Sequence, residues 1–277
     1  MVSRTTLRLG GFTLLCCVTC LLVGCRRAGG ASSELTSDLA GKLEGKHWYR
    51  VSVMGQASGW AFFENWTRRA ADGSLQLVSR QRLHFSIVLN GRRLTAAQEM
   101  TIETDVRLRP VSIAMAADEL GRPKNVKAEV RGDRLEVTVE GGKQVFTKSL
   151  PLPEDWGSDL QLELEAAAGR LQPGRKLTAS IFDPQLVDFD RHYLEVKAWR
   201  EMEIGGQKRR LLQIDDRTEK LKLSITTYID EEGVMWRQEV PGIMNMVLEK
   251  VSEEEAKELG QPLSLTNRVE IDKALGD

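Results

Sequence analysis

The sequence predicts a mainly β protein: one long, strongly curved antiparallel sheet, a half-barrel or near-closed barrel, with one or two short helices. Three observations predict it. From Trp48 onward apolar residues recur at every second position over unusually long runs. Turn pairs such as Asn90-Gly91, Gly132-Asp133 and Gly141-Gly142 separate those runs. No proline-rich linker divides the body, which favours one continuous sheet over two domains. At 277 residues and 41% hydrophobic, the chain can bury a sizeable core and is too apolar for wholesale disorder.

Residues 1–24 read as an export signal. Arg4 and Arg8 make a positive start, and Leu9 to Val23 is apolar. That stretch is short of the roughly 20 residues of a membrane span but suits a signal-peptide core. It ends in Leu22-Val23-Gly24-Cys25, which resembles the bacterial lipobox. The resemblance implies cleavage before Cys25, a diacylglyceryl group on its thiol, and a membrane anchor in the cell envelope. In a diderm cell that means the periplasmic face of the outer membrane or the cell surface. Residues 25–46 are small and polar and read as a lipidated, flexible tether reaching roughly 25 Å, in which Ser33 to Leu43 can form a short helix.

Residues 47–262 read as the antiparallel β domain. Its clearest strand carries Leu75, Leu77, Leu83, Phe85, Ile87 and Leu89 on one face, and the next carries Leu94, Met100, Ile102 and Val106. Antiparallel partners share a face and have a constant index sum. The apolar positions are odd before Asn90-Gly91 and even after it, so a two- or four-residue loop brings them onto one face. The same test pairs Val126, Ala128 and Val130 with Val139, Val137 and Leu135, sets Val137 opposite Phe146, and sets Leu223 to Ile229 opposite Val234 and Trp236. It fails at Gly205-Gly206, where Met202 and Ile204 would meet Arg209 and Gln207; a bulge or longer loop is expected there. Ser158-Asp-Leu-Gln161 resembles a capping box ahead of Leu160, Leu164, Ala167, Ala168 and Leu171 on one helix face. Ser252-Glu-Glu-Glu255 opens a second short helix that Gly260 can cap. Residues 263–277 form a C-terminal tail. Strands of about fourteen residues extend roughly 45 Å and must twist and curl.

Little in this pattern carries chemistry. All four cysteines (Cys16, Cys17, Cys20 and Cys25) lie in the first 25 residues, so the body has no thiol nucleophile, thiolate metal site or disulfide. The near-zero net charge of −1 excludes a dedicated nucleic-acid binder. His47, His84 and His192 lack metal-ligand spacing. Asp183, Asp188, Asp190, Asp215 and Asp216 read as solvated turns and strand ends. No cofactor, metal or catalytic residue is expected. Trp60, Phe62 and Trp66 share a strand face; core packing is the plain reading, and a cavity wall or partner-docking patch is the functional one.

The stretches Val53-Met-Gly-Gln-Ala-Ser-Gly-Trp60, Leu171-Gln-Pro-Gly-Arg175 and Tyr228-Ile-Asp-Glu-Glu-Gly-Val-Met-Trp-Arg237 resemble, in that order, the β-rich module preceding the catalytic domain of bacterial transglutaminase-like proteins, and Leu265 to Asp277 resembles the linker leading into their second half. The catalytic half is missing, so no catalytic residue carries over. The resemblance implies a non-enzymatic docking module for a separately encoded transglutaminase-like or protease-like enzyme or another envelope partner. The long strands also resemble Lol-type lipoprotein carriers, which implies the alternative of a lipid or hydrophobic ligand in the concave face.

Overall fold

The computed structural model describes residues 34–259, apart from Asn90, Gly91, Leu120, Lys143, Ile243 and Met244. The export signal, Cys25, Gly260 and the tail 263–277 lie outside the described residues.

Among the described residues fifteen strands form one sheet. After α1 (Ser37–Leu43) come β1 (Gly45–Val53), β2 (Gln56–Arg69), β3 (Leu75–Leu89), β4 (Arg92–Thr104), β5 (Pro110–Glu119), β6 (Pro123–Arg131), β7 (Arg134–Gly141) and β8 (Gln144–Pro151). A short β9 (Trp156–Gly157) leads into α2 (Leu160–Ala167). The chain then runs through β10 (Lys176–Asp183), β11 (Asp188–Ile204), β12 (Gln207–Thr218), β13 (Ser224–Ile229), β14 (Met235–Val240), β15 (Met246–Val251) and α3 (Glu253–Glu258). The order is β8-β7-β6-β5-β4-β3-β2-β1-β15-β14-β13-β12-β11-β10-β9. Two meanders therefore meet where β15 returns to pair with β1. Neighbours are antiparallel except β9, which lies parallel to β10. The sheet is not closed: β8 and β9 are its two edges.

Most of the register follows from the sequence. Across the β3–β4 hairpin Phe85 faces Ala96 and Leu89 faces Arg92, the two-residue-loop solution. Across β6–β7 Val126 faces Val139 and Val130 faces Leu135, as expected. Three details differ. Phe146 faces Val139 rather than Val137, a two-residue offset that preserves the face. Ile229 faces Met235 rather than Val234 or Trp236, because the register shifts between Tyr228 and Ile229. At Gly205-Gly206 the turn is tight, both glycines having positive φ, and Met202 and Ile204 do pair with Arg209 and Gln207. The irregularity sits instead between Val196 and Trp199. It exchanges the faces of β11 upstream of the turn, so the turn itself needs no bulge.

The segment expected as tether belongs to the folded body from Glu34 onward. Thr36 caps α1 by accepting a hydrogen bond from the Leu39 amide. Leu35, Ala40 and Leu43 are buried with Leu77, Leu108, Leu160 and Leu164. Their spacing gives α1 one apolar side, which docks on α2 rather than staying in water.

α2 lies against the concave face. Leu162 and Ala166 enter the main core with Tyr49, Val51, Phe63, Leu83, Phe85, Leu212 and Leu248. Its cap differs from the expected box. Asp159 caps the helix, accepting from the Leu160 amide at 3.1 Å. Ser158 Oγ instead donates to the Leu108 carbonyl at 2.5 Å, and Gln161 Nε2 donates to the Arg107 carbonyl at 2.9 Å. The side chains of the expected box thus fasten α2 to the β4–β5 connection. α3 is capped as expected, Ser252 Oγ accepting from the Glu255 amide.

A second core closes the curl. Strands β4 to β8 fold over the tip of the β10–β11 hairpin, burying Val126, Leu135, Val137, Val139 and Leu150 against Phe182, Val187 and Phe189. Lys124 Nζ donates to the Pro184 and Gln185 carbonyls, and Lys148 Nζ donates to the Val187 carbonyl at 2.9 Å. Side chains, not ladder hydrogen bonds, bring this arm against the rest of the molecule.

Candidate functional site

The aromatic residues singled out from sequence lie on the outer face of β2. In β2, Ala61, Phe63 and Asn65 point to the concave side, and Trp60, Phe62 and Trp66 point away from it. Trp48 packs in tilted geometry against Trp60 and Phe62, with ring centroids 5.6 and 4.4 Å apart. Ala256 of α3 and the following Leu259 cover this group, leaving Trp60 and Phe62 only 5% and 6% exposed. Trp66 stands apart, half-buried, with the Arg80 guanidinium 5.5 Å over its ring. Trp60 and Phe62 therefore form an outer satellite core, neither a cavity wall nor an open patch. Cys25 lies outside the described residues.

The concave side is occupied by the protein itself. A cavity between α2 and the arm, lined by Met100, Ile102, Ile113, Ser158 and Phe182, holds about 20 Å³, room for roughly one water. Polar side chains also sit on the concave side. Tyr49 Oη donates to the Met235 carbonyl at 3.2 Å, and Asn65 Nδ2 donates to Glu163 Oε2 at 3.0 Å. Glu163, on α2, has its carboxyl pushed up to about 8, first by burial and then by the neighbouring Asp159.

A second polar group gathers at the ends of β10, β11 and β12. Register sets Asp183 of β10, Asp190 and His192 of β11, and Asp216 of β12 on the concave face with Leu177, Leu194 and Ile214. All four are buried. His192 Nδ1 lies 2.8 Å from Asp216 Oδ2. Asp190 is fully buried and accepts from the Glu219, Lys220 and Leu221 amides, fixing the β12–β13 turn. Asp183 accepts from the Gln185 and Leu186 amides in the β10–β11 turn, and burial pushes its carboxyl up. For His192 burial opposes the charge, but the Asp216 hydrogen bond and the carboxylates of Asp216, Asp190 and Asp183 outweigh it and raise the imidazole.

The expectation of solvated carboxylates holds for Asp188 and Asp215, which are partly exposed, and fails for Asp183, Asp190 and Asp216. The signal was present: Asp190, His192, Leu194 and Val196 share one strand face, and the last two are apolar. Among the described residues no three His, Cys, Asp or Glu side chains are placed to hold a metal ion. The cluster's hydrogen bonds tie together the ends of β10, β11 and β12, a positioning role.

The remaining feature is an open edge. Among the described residues β8 pairs only with β7, and Arg134 of β7 donates to the Ser149 main-chain carbonyl on it. Val145 and Phe146 on it are 66% and 49% exposed. Phe146 borders a groove with Arg122, Pro123, Lys124 and Val139.

A solved structure shares this architecture. It is a β-barrel-like protein of a domain of unknown function, DUF1849, from Brucella abortus, 11% identical, with a TM-score of 0.51 over 75% of this chain and 95% of that one. No family model and no curated protein matches the sequence. At that identity the likeness bears on the fold alone: mainly β, one large unclosed sheet, barrel-like.

Proposed function

We propose that this is a non-enzymatic, lipid-anchored cell-envelope protein that serves as a docking module for a separately encoded enzyme, transglutaminase-like or protease-like, or another envelope partner. The observation that carries the reading is the division of the surface. The concave side is filled by α2 and its apolar neighbours, whereas β8, with exposed Val145 and Phe146, has among the described residues no strand on its outer side. Unpaired edges bind extended segments of other chains through main-chain hydrogen bonds. The lipobox-like Leu22 to Cys25 supplies the anchor in this reading. The alternative, a lipid or hydrophobic ligand in the concave face, draws on the same apolar stripes, but those stripes pack on α2 and the cavity beside it is water-sized.

The test is cross-linking and co-purification from native membranes, with Cys25→Ser as control. The wild-type chain is expected in the membrane fraction with a stable protein partner, and Cys25→Ser is expected to leave the membrane. Recovery of the wild-type protein alone, or unchanged membrane retention of Cys25→Ser, would count against the reading.

A further inference from the structure

The outer face of β3, β4 and β5 is buried where a convex face should meet water. Phe85 and Ala96 share the concave side with Ala61 and Phe63, so the alternate residues point outward. Register aligns Arg80, Thr101, Ala114 and Lys127 across β3 to β6, and Arg82, Glu99 and Ala116 beside them. Thr101 is 0% exposed, and Val78, Ala97, Ala114 and Ala116 lie between 1% and 6%. These side chains join none of the cores that the described residues form. The three helices are engaged elsewhere: α1 docks on α2, α2 fills the concave side, and α3 covers Trp60 and Phe62.

The result is a trough with a floor of small side chains. Arg80 and Arg82 wall it on the β3 side, both reaching Glu99, and exposed Lys127 walls it on the β6 side. Two buried polar groups on this face lack a partner. Thr101 Oγ1 and Trp60 Nε1, on residues 0% and 5% exposed, make no hydrogen bond among the described residues. Unmet buried polar groups are rare, and a main chain laid over the face supplies carbonyls for them.

The chain beyond the described residues begins next to this trough. Leu259 packs with Trp60 and Phe62 on the outer face of β2. β4 and β5 lie two and three strands further on, about 10 and 14 Å across the sheet at about 4.8 Å per strand. Four residue steps from Leu259 to Leu263 span up to about 14 Å. From there Leu263, Leu265, Val269 and Ile271 alternate with Ser264, Thr266, Arg268, Glu270 and Asp272, with Asn267 as the one break. Such a segment, extended, has one apolar side for the floor. Its carboxylates Glu270 and Asp272 match the charge of the Arg80, Arg82 and Lys127 walls.

We infer that residues 263–271 of the chain's own C-terminal segment lie across this trough as a strap, apolar side down. The strap continues the cover that α3 begins over Trp60 and Phe62, and it withholds this face from other chains.

Thiol accessibility tests the strap. The chain from residue 25 carrying Cys25→Ser has no other cysteine, so one introduced thiol reports alone. Ala114→Cys sits in the floor, and Lys127→Cys on the exposed wall is the control. In the full chain the maleimide reaction at Ala114→Cys is expected to be much slower than at Lys127→Cys. Removal of residues 261–277 is expected to speed it by at least about tenfold and to leave Lys127→Cys unchanged. Val269→Asp with Ile271→Asp, in the otherwise full chain, is expected to speed it likewise. This pair keeps the test decisive should the shortened chain fail to fold, and circular dichroism checks the fold of each variant. Protection is expected to persist over roughly a hundredfold dilution. A fast reaction in the full chain would overturn the inference, since the face would be open. So would slow reaction that survives both tail changes, which would assign the burial to neighbouring side chains, or protection lost on dilution, which would assign the cover to a second copy. Any of these leaves the docking reading standing, because that reading is decided by recovery of a foreign partner from membranes.

Discussion

Glu163 gives the sharpest prediction. Its carboxyl sits on α2 against the sheet, accepts from Asn65 and lies near Asp159. Moving it from 4.5 to about 8 corresponds to about 5 kcal/mol, at about 1.36 kcal/mol per pH unit. One edge of Glu163 reaches solvent, and screening reduces the effect to roughly 2–3 kcal/mol. The sign follows from linkage. A carboxyl raised on folding contributes stability that is whole below about 4.5 and is lost as the pH climbs to about 8. Glu163→Gln keeps an oxygen for the Asn65 amide and removes the titration. Urea unfolding at pH 5, 6, 7 and 8 is the assay. The wild type is expected to lose stability across that range. Glu163→Gln is expected to flatten the slope between pH 5 and 7 and to be the more stable protein at pH 8 by roughly 2 kcal/mol. Parallel slopes for the two proteins would refute the burial of a raised carboxyl on α2.

Three further outcomes follow. His192→Gln leaves the Asp216 carboxylate buried without its imidazole partner and is expected to cost about 3 kcal/mol, read by urea unfolding at pH 6. Because the imidazole is raised, the wild-type margin over this variant is expected to be greatest below about pH 6.5 and to shrink as pH rises. Gly59→Ala would place a methyl 2.0 Å from the His84 carbonyl oxygen and 2.5 Å from Phe85 Cα. Backbone cannot yield cheaply there, so a loss of about 3 kcal/mol or failure to accumulate folded protein is expected in thermal melts. Phe62→Ala is expected to cost about 3–5 kcal/mol of stability without changing partner recovery, because Phe62 is buried under α3 rather than offered to a partner.

Legibility differed from place to place for physical reasons. The β3–β4 and β6–β7 registers could be read because a two-residue turn and a strict period of two leave one solution that keeps apolar residues together. The faces near Gly205-Gly206 and Trp236 could not, because register shifts at Val196 and Tyr228 break the period out of sight of the turn. Asp190 and Asp216 looked like solvated carboxylates because sequence shows only that they neighbour turn residues. Three backbone amides and one imidazole, supplied from elsewhere, are what make their burial tolerable. Trp60 and Phe62 were correctly placed on one face. Which side of the sheet that face occupies is a property of the curl, and α3 covers it from far along the chain.

By itself, then, the sequence determined a long-stranded antiparallel sheet, two of its helices, and a body without cysteine chemistry, since these depend on local period, turn residues and composition. The tertiary structure decided the direction of curl, the helix that fills it, the burial of the Asp–His group, and which strand remains open. Each of these depends on contacts between residues far apart along the chain, and a strand's pattern records which face is apolar but not what will cover it.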